Sequence, residues 1–357
     1  MDEGGGPSTA GTSNRGVCPG GEGDYSSDSD ETPLIQSAEE EEAVDGSTRI
    51  DIPEDEIERE ADPHLRFPKE RGKTIFAFVM LLCAGISNDI VLSAVHEKMP
   101  DTDPLPDILF SLLPYWAYGL VVTEYIMLSS FISVLALILF HRHRWIVFRR
   151  LCIIGSLMYF GRCVTMFVTP VPKADPNYYC SPKMGENATF LKIVLRGLSA
   201  VTGLGLNING KHILCGDYIY SGHTIVLVVS ALFISQYTPR RWRLLHIASW
   251  LLSLTGMFLL IVSRGHYTID VIISYFICTR FFYIYHTMAS LPSLRISPQN
   301  HHRKEFWFPL FMMMEGRILR PLPRRYDSPF PVHKLLSLIR PSPPPSSQQG
   351  YDSIPPH

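Results

Sequence analysis

Six long apolar runs between residues 74 and 285 constrain the fold of this chain more than any other feature. A helix needs roughly 20 mainly apolar residues to cross a bilayer, where every backbone polar group must find a partner within the protein. The runs therefore predict an all-α, polytopic membrane protein with six transmembrane helices. The predicted spans are Thr74–Val95, Leu120–Phe140, Leu151–Thr169, Tyr218–Gln236, Leu245–Val262 and Tyr267–Tyr285.

The segments on either side of these spans differ in composition. Residues 1–68 are rich in Gly, Ser, Asp and Glu and hold few large apolar side chains, so they cannot bury enough surface to offset the entropy of ordering. The start of the chain lacks the basic and apolar regions of a secretory signal peptide. We predict a disordered acidic tail over residues 1–68, a six-helix transmembrane domain over 69–290, and a mostly unstructured C-terminal tail over 291–357, Pro-rich at its end.

Basic residues fall on one side of the six-span topology. Lys and Arg collect in cytosolic loops, and an even number of spans puts both termini on the same side of the membrane. We therefore predict that both termini are cytosolic and that the opposite face is lumenal. The basic segments precede the first span and follow the second, fourth and sixth, at residues 69–73, 141–150, 240–243 and 303–304.

Two short motifs fit this topology. Asn187-Ala188-Thr189 is a glycosylation acceptor in a predicted lumenal loop. Asp30, Leu34 and Ile35 belong to a stretch that resembles an acidic dileucine sorting signal, which indicates a sorting adaptor as a candidate cytosolic partner. The alternative is a chance match in an acidic tail.

The seven cysteines do not have the spacing of a disulfide framework. Without a CxxC pair, a structural zinc site is not expected. The cysteines in or beside the apolar spans are expected to act as small apolar residues; they are Cys83, Cys152, Cys163 and Cys278.

Two polar segments mark the predicted lumenal ends of the fourth and sixth spans, from Cys215 to Thr224 and from His266 to Asp270. His266 and Asp270 are four residues apart, so on a helix they share a face. The carboxylate can hold one imidazole nitrogen as N–H and leave the other free as a nucleophile. His223 is then placed to act as a general acid. This combination predicts phosphoryl transfer between lipids at one membrane face.

Neighbouring residues are candidates for binding the substrate. Ser221 and the backbone of Gly222 could donate hydrogen bonds to phosphate oxygens near the start of a helix. Arg162 could bind phosphate, because a guanidinium fork matches its oxygens. The alternative for this arginine is a structural pair with Glu124 or Asp89, which also lie in apolar spans.

The motifs Ser221-Gly222-His223-Thr224 and His266-Tyr267-Thr268-Ile269-Asp270 resemble those of the lipid phosphate phosphatase superfamily. More narrowly, the chain resembles the sphingomyelin synthase family, which transfers phosphocholine from phosphatidylcholine to ceramide. The resemblance covers roughly residues 74–320. Its further stretches are Pro104-Leu105-Pro106-Asp107, Arg149 to Gly155, Arg162 to Thr169, Cys215-Gly216-Asp217, Thr279-Arg280 and Tyr285-His286.

Two positions depart from the family pattern. Arg264-Gly265 precedes the second histidine, where the family often has an acidic residue, and Asp103 stands in place of a second proline in the first motif. Both departures leave the triad residues in place, and the first bears on how the headgroup is handled.

The resemblance implies a catalytic triad of His223, His266 and Asp270 that faces the lumen or cell exterior, in the Golgi or plasma membrane. It also implies a phosphocholine–histidine intermediate on His266, phosphatidylcholine and ceramide as substrates, and no metal or other cofactor. Asp217 could orient His223 or sense the cationic headgroup, and helix capping is its structural alternative. Tyr267 could contact choline through its ring, and an interfacial position is the alternative. We further expect a homo-oligomer and no nucleic-acid partner.

Three other functions remain open. A ceramide phosphoethanolamine synthase would use the same triad on a different headgroup. The lack of an N-terminal helical interaction domain favours phosphocholine. Residues 141–144 favour phosphoethanolamine slightly, because they resemble a stretch of the relatives that use this headgroup. A lipid phosphate hydrolase would pass the phosphoryl group to water. A channel, transporter or scaffold is disfavoured because neither an inverted repeat nor a pair of broken spans is evident.

Overall fold

A computed structural model of the protein describes residues 67–201 and 214–327. The acidic tail up to residue 66, including Asp30, Leu34 and Ile35, lies outside the described residues. The described part of the chain is built of helices joined by loops and short turns. The helices are α1 (Arg71–Lys98), α2 (Ile108–Leu112), α3 (Gly119–Phe140), α4 (Arg144–Val168), α5 (Phe190–Val201), α6 (Gly222–Tyr237), α7 (Arg243–Val262), α8 (Thr268–Ser290), α9 (Pro292–Ile296) and α10 (Phe308–Glu315).

The apolar helices coincide with the six predicted spans, which confirms the all-α class. Five of them, α1, α3, α4, α7 and α8, are long and apolar enough to cross a membrane. The sixth, α6, is also apolar but has 16 residues, because it begins at Gly222 rather than at the predicted Tyr218. The other large difference is that α4 begins at Arg144, well before the predicted Leu151.

The six apolar helices alternate in direction, so each end of the bundle collects a fixed set of helix ends. The site end comprises the last residues of α1, α4 and α7 and the first residues of α3, α6 and α8. The far end comprises the opposite six. One contact illustrates each end: at the site end, Trp116 donates its backbone N–H to the carbonyl of Val262 at 3.2 Å, and at the far end the Thr74 hydroxyl donates to the carbonyl of Trp145 at 3.3 Å.

Helix α6 lies at the centre of the bundle and packs against α3, α7 and α8. Leu227, Val228 and Phe233 on this helix are completely buried. Gly256 on α7 permits a close approach, because a Cβ there would lie 2.8 Å from a methyl carbon of Leu227. A short helix is stable here because protein rather than lipid surrounds it.

Helix α5 was not predicted, because its 12 residues are too few to cross a bilayer. It packs along α1, where Ser93 donates to the carbonyl of Ile193 at 3.0 Å and Arg196 lies 2.6 Å from Glu97. Gly197 sits directly on the α1 backbone, since a Cβ would come within 2.7 Å of Cα of Ile90. Small residues give such close helix contacts in membrane proteins.

The segment of residues 292–327, which we call the C-terminal strap, folds across the far end. It contains α9 and α10, and Trp307, Phe308 and Phe311 are buried against the bundle. Tyr326 forms an antiparallel bridge with His141. The structure thus differs from the predicted unstructured tail between residue 291 and Asp327, because these aromatic residues supply the apolar surface that ordering requires. Residues 328–357 lie outside the described residues.

Candidate active site

The start of α8 holds Asp270 and His266 together. Asp270 is the third residue of α8, and its carboxylate accepts the backbone N–H of Tyr267 at 3.0 Å and that of Ile219 at 2.8 Å. Negative charge is stabilised at this position of a helix. Nδ1 of His266 lies 3.5 Å from the same carboxylate. The carboxylate therefore faces one nitrogen of the imidazole and leaves the other for chemistry.

The start of α6 brings His223 to the other face of His266. Ser221 caps α6 by accepting the backbone N–H of Thr224 at 3.2 Å. Nε2 of His266 then lies 3.4 Å from Nδ1 of His223, with the rings in an edge-on arrangement. Only 2% of His266 is exposed. The structure thus brings together His223, His266 and Asp270 as the sequence predicted, and their catalytic roles stay a prediction.

Glu124, which was predicted as a candidate partner of Arg162, adds a carboxylate beside His223. It lies on α3, is completely buried, and its Oε1 is 3.8 Å from Nε2 of His223. Each histidine of the pair therefore faces a carboxylate on its outer side. The signal in the sequence was an acidic residue within an apolar span, which is costly and commonly functional.

Arg162 lies beneath the start of α6. Its guanidinium donates to the carbonyl of Tyr220 at 2.8 Å and to Asn88 at 2.6 Å, and it forms an ion pair with Asp217. The predicted alternative was a structural pair with Glu124 or Asp89, and the close ion pair in the structure is with Asp217, because the loop before α6 brings that residue to α4.

The same guanidinium leaves little room for a side chain at residue 222. A Cβ on Gly222 would lie 3.1 Å from Cζ of Arg162. The backbone of Gly222 therefore lies directly against Arg162. The neighbouring Ser221 hydroxyl accepts the N–H of Thr224 and caps α6.

Asp217, His223 and His266 could hold a metal ion, since one ligand atom of each lies within 4.8 Å of the others. Arg162 already pairs with Asp217, and its positive charge opposes a second cation there. We therefore assign Asp217 an electrostatic partnership with Arg162. The predicted roles of this aspartate toward His223 and the headgroup stay predictions.

Tyr267 and Tyr218 fasten the loops above the histidines. The Tyr267 hydroxyl accepts the N–H of Leu105 at 3.0 Å and donates to the carbonyl of Pro172 at 3.2 Å, and the Tyr218 hydroxyl accepts the N–H of Ala174 at 3.0 Å. Burial raises the pKa of both tyrosines, so their hydroxyls stay protonated. The ring of Tyr267 is already stacked on Phe110, which favours its structural role over a contact with choline.

A disulfide between Cys180 and Cys215 joins two loops at the site end. The disulfide was not predicted, because the two cysteines are 35 residues apart and show no framework spacing. His96 reinforces the junction: its Nδ1 accepts the N–H of Cys215 at 2.9 Å, and its Nε2 donates to the carbonyl of Ser181 at 2.8 Å. Asp217 follows two residues after this anchor, so the disulfide restrains the segment that contacts Arg162 and Asp270.

We expect Cys180→Ser to destabilise the protein by about 2–4 kcal/mol, because the disulfide restrains the unfolded chain. The melting temperature of detergent-solubilised protein would fall, and reductant would lower the wild-type value to that of the variant. Cys83→Ser, at an exposed free cysteine, should melt like the wild type. Equal melting temperatures for Cys180→Ser and wild type would contradict the prediction.

Comparisons with known proteins agree with this arrangement. The family model described as PAP2 superfamily C-terminal matches residues 214–287, the segment that carries both histidines and Asp270. The chain is 55% identical over 313 residues to phosphatidylcholine:ceramide cholinephosphotransferase 1 of Caenorhabditis elegans, covering 87% of this chain and 65% of that protein. It is 37% identical over 290 residues to the human protein of the same name, covering 79% of this chain and 68% of the human one. Human phosphatidylcholine:ceramide cholinephosphotransferase 2 is 36% identical over 272 residues, with 74% and 73% coverage.

The helical bundle and its paired histidines thus define a polytopic membrane protein whose site-bearing segment is of the PAP2 type. Within that class, the chain belongs to the phosphatidylcholine:ceramide cholinephosphotransferase family, the sphingomyelin synthases. It spans 65% of the length of the C. elegans relative.

Proposed function

We propose that this protein transfers phosphocholine from phosphatidylcholine to the primary hydroxyl of ceramide, giving sphingomyelin and diacylglycerol. The observation that carries the proposal is the separation of 3.4 Å between Nε2 of His266 and Nδ1 of His223, with Asp270 behind the first ring. This transfer requires a nucleophile, a proton donor and a carboxylate that orients the nucleophile.

In the first half-reaction, Nε2 of His266 attacks the phosphorus of the donor. A P–N bond forms as the bond to the diacylglycerol oxygen breaks, and His223 gives that oxygen a proton. The Asp270 carboxylate stabilises the positive charge that develops on the His266 ring. Glu124, 3.8 Å from His223, stabilises the protonated form from which that residue donates.

In the second half-reaction, the ceramide hydroxyl attacks the phosphorus of the phosphocholine–histidine intermediate. His223, now neutral, accepts the hydroxyl proton, and the P–N bond breaks to release sphingomyelin. Both enzyme residues return to their starting protonation states, so the cycle balances. Arg162 contributes by holding Asp217 and the carbonyl of Tyr220, and thereby the loop that leads into His223.

We propose that the site end faces the lumen or cell exterior and that both termini are cytosolic. The basic loops support this orientation, and so does a disulfide at the site end, because disulfides persist in oxidising compartments. Asn187 is exposed in a loop at the same end, where a glycosylation enzyme could reach it. The Golgi or plasma membrane location, the sorting adaptor and a homo-oligomer belong to the same proposal.

The decisive experiment uses purified protein in vesicles that contain fluorescent ceramide and a single donor phospholipid. We expect fluorescent sphingomyelin with phosphatidylcholine as donor. Product from phosphatidylethanolamine alone would instead identify a ceramide phosphoethanolamine synthase. Free phosphocholine without a sphingolipid product would identify a hydrolase, and the absence of both reactions would overturn the proposal.

A further inference from the structure

The loop between α1 and α3 forms hydrogen bonds to the turn that carries His266. We call residues 104–118 the clamp loop and residues 262–268 the α7–α8 turn. Four pairs of residues form hydrogen bonds between the two segments: Leu105 N–H to the Tyr267 hydroxyl at 3.0 Å, Thr268 N–H to the Asp107 carboxylate at 2.7 Å, the Arg264 guanidinium to the Phe110 carbonyl at 3.4 Å, and Trp116 N–H to the Val262 carbonyl at 3.2 Å.

Asp107 contributes the carboxylate among these contacts. One carboxylate oxygen accepts the backbone N–H of Thr268 at 2.7 Å, and the other accepts its hydroxyl at 2.9 Å. The second oxygen also accepts the N–H of Leu109 at 3.0 Å, so a single side chain caps both α2 and α8. A carboxylate at a helix N-terminus satisfies unpaired N–H groups and complements the helix dipole.

The clamp loop is joined to the α7–α8 turn by these hydrogen bonds and by the ring of Phe110, which stacks on that of Tyr267. Helix α2 contains no buried residue, and Ile108 and Leu112 are 78% and 70% exposed. A cavity of about 610 Å³ lies between the loop and the first turns of α8, with Asp270 and Ile272 in its wall. Removing the Asp107 carboxylate would take from the first residue of α8 the two hydrogen bonds that it makes to the clamp loop.

The position of α8 determines the geometry of the reactive pair. Thr268 is the first residue of α8, and it lies between His266 and Asp270 in the chain. We propose that Asp107 is a positioning residue, which holds Thr268 so that the Asp270 carboxylate and Nδ1 of His266 stay 3.5 Å apart. This inference rests on the proposed function of the His266 site, and it gives the Pro104-Leu105-Pro106-Asp107 motif a physical role.

The test compares Asp107→Ala, Asp107→Asn and Asp103→Ala in purified full-length protein in vesicles. Asp103 is an exposed aspartate of the same loop region and serves as the matched control. We expect Asp107→Ala to lower kcat by about 10²-fold, with KM for ceramide little changed, because a displacement of about 1 Å at a reacting group has an effect of this size. Asp107→Asn should recover the larger part of the rate, since Asn caps helices about as well as Asp.

Two readouts separate positioning from simple loss of fold. The pH dependence of kcat should change in Asp107→Ala, because the distance between His266 and Asp270 changes; loss of folded protein would reduce all rates by one factor. Hydrogen exchange in a peptide covering residues 266–275 should be faster in Asp107→Ala than in wild type, with exchange in α7 unchanged.

Unchanged exchange at residues 266–275, or an unchanged kcat per folded molecule, would overturn the clamp. Hydrogen exchange does not depend on activity. It therefore tests the positioning role of Asp107 even in a preparation that transfers no phosphocholine. An inactive wild type with faster exchange in Asp107→Ala would overturn the proposed function and leave the structural clamp supported.

Discussion

Protein carrying His266→Ala transfers no measurable phosphocholine to ceramide: this is the largest effect we expect of any single substitution. Removing a nucleophile that works in concert with a base lowers turnover by about 10⁴-fold or more. The structure supports this magnitude, because His266 is buried and lies between Asp270 at 3.5 Å and His223 at 3.4 Å. The measurement is fluorescent sphingomyelin formed in vesicles of phosphatidylcholine.

The intermediate can be examined separately. With phosphatidylcholine labelled in its headgroup and no ceramide present, wild-type protein should acquire covalent label, and His266→Ala should acquire none. Asp270→Asn should form the intermediate slowly, because the uncharged amide stabilises the charged ring less well. His301→Ala, an exposed histidine in the C-terminal strap, is the control and should behave as wild type. Full transfer by His266→Ala would refute the assignment of the nucleophile.

Glu315→Ala is expected to destabilise the protein by about 3–5 kcal/mol, because it leaves a buried guanidinium without its partner. Glu315 in the C-terminal strap makes two hydrogen bonds to Arg150 of α4, at 3.0 and 2.6 Å, and both side chains are almost completely buried. Burial opposes ionisation of Glu315, but Arg150 outweighs this effect and holds the pKa of the carboxyl below its ordinary value. The melting temperature of detergent-solubilised protein measures the effect.

The double variant Arg150→Leu with Glu315→Leu supplies the sharper comparison. Replacing a whole buried ion pair with apolar residues is commonly neutral or stabilising, so the double variant should melt at a higher temperature than Glu315→Ala. Glu305→Ala removes an exposed carboxylate of the same strap and should leave the melting temperature unchanged. A Glu315→Ala protein that melts with the wild type would show that the pair is not needed for stability.

The six apolar helices were predictable because the length of each apolar run is enough to indicate a membrane-spanning helix. The predicted boundaries of these helices were wrong where contacts with distant residues outweigh the local composition. Arg149 and Arg150 were assigned to a basic segment before the third span, yet both lie within α4, where Glu70 and Glu315 from distant parts of the chain compensate their charges. Helix α5 was missed for a related reason, because it is stabilised by packing along α1.

The candidate site was predictable in its local part only. His266 and Asp270 are four residues apart, and topology placed His223 at the same end of the bundle. The contact of Glu124 with His223 and the contact of Asp107 with Thr268 join residues far apart in the chain. The spacing of residues in one sequence contains no information about such long-range contacts, so only the structure reveals them.

The strap also sets an order of events during synthesis. Arg150 is made with α4, whereas its carboxylate arrives with residue 315, after all six apolar helices have been translated. Until then the guanidinium lies in the assembling bundle without its counter-ion, which is energetically costly. The far end therefore closes last. A nascent chain that stops before residue 315 therefore retains an uncompensated guanidinium on α4.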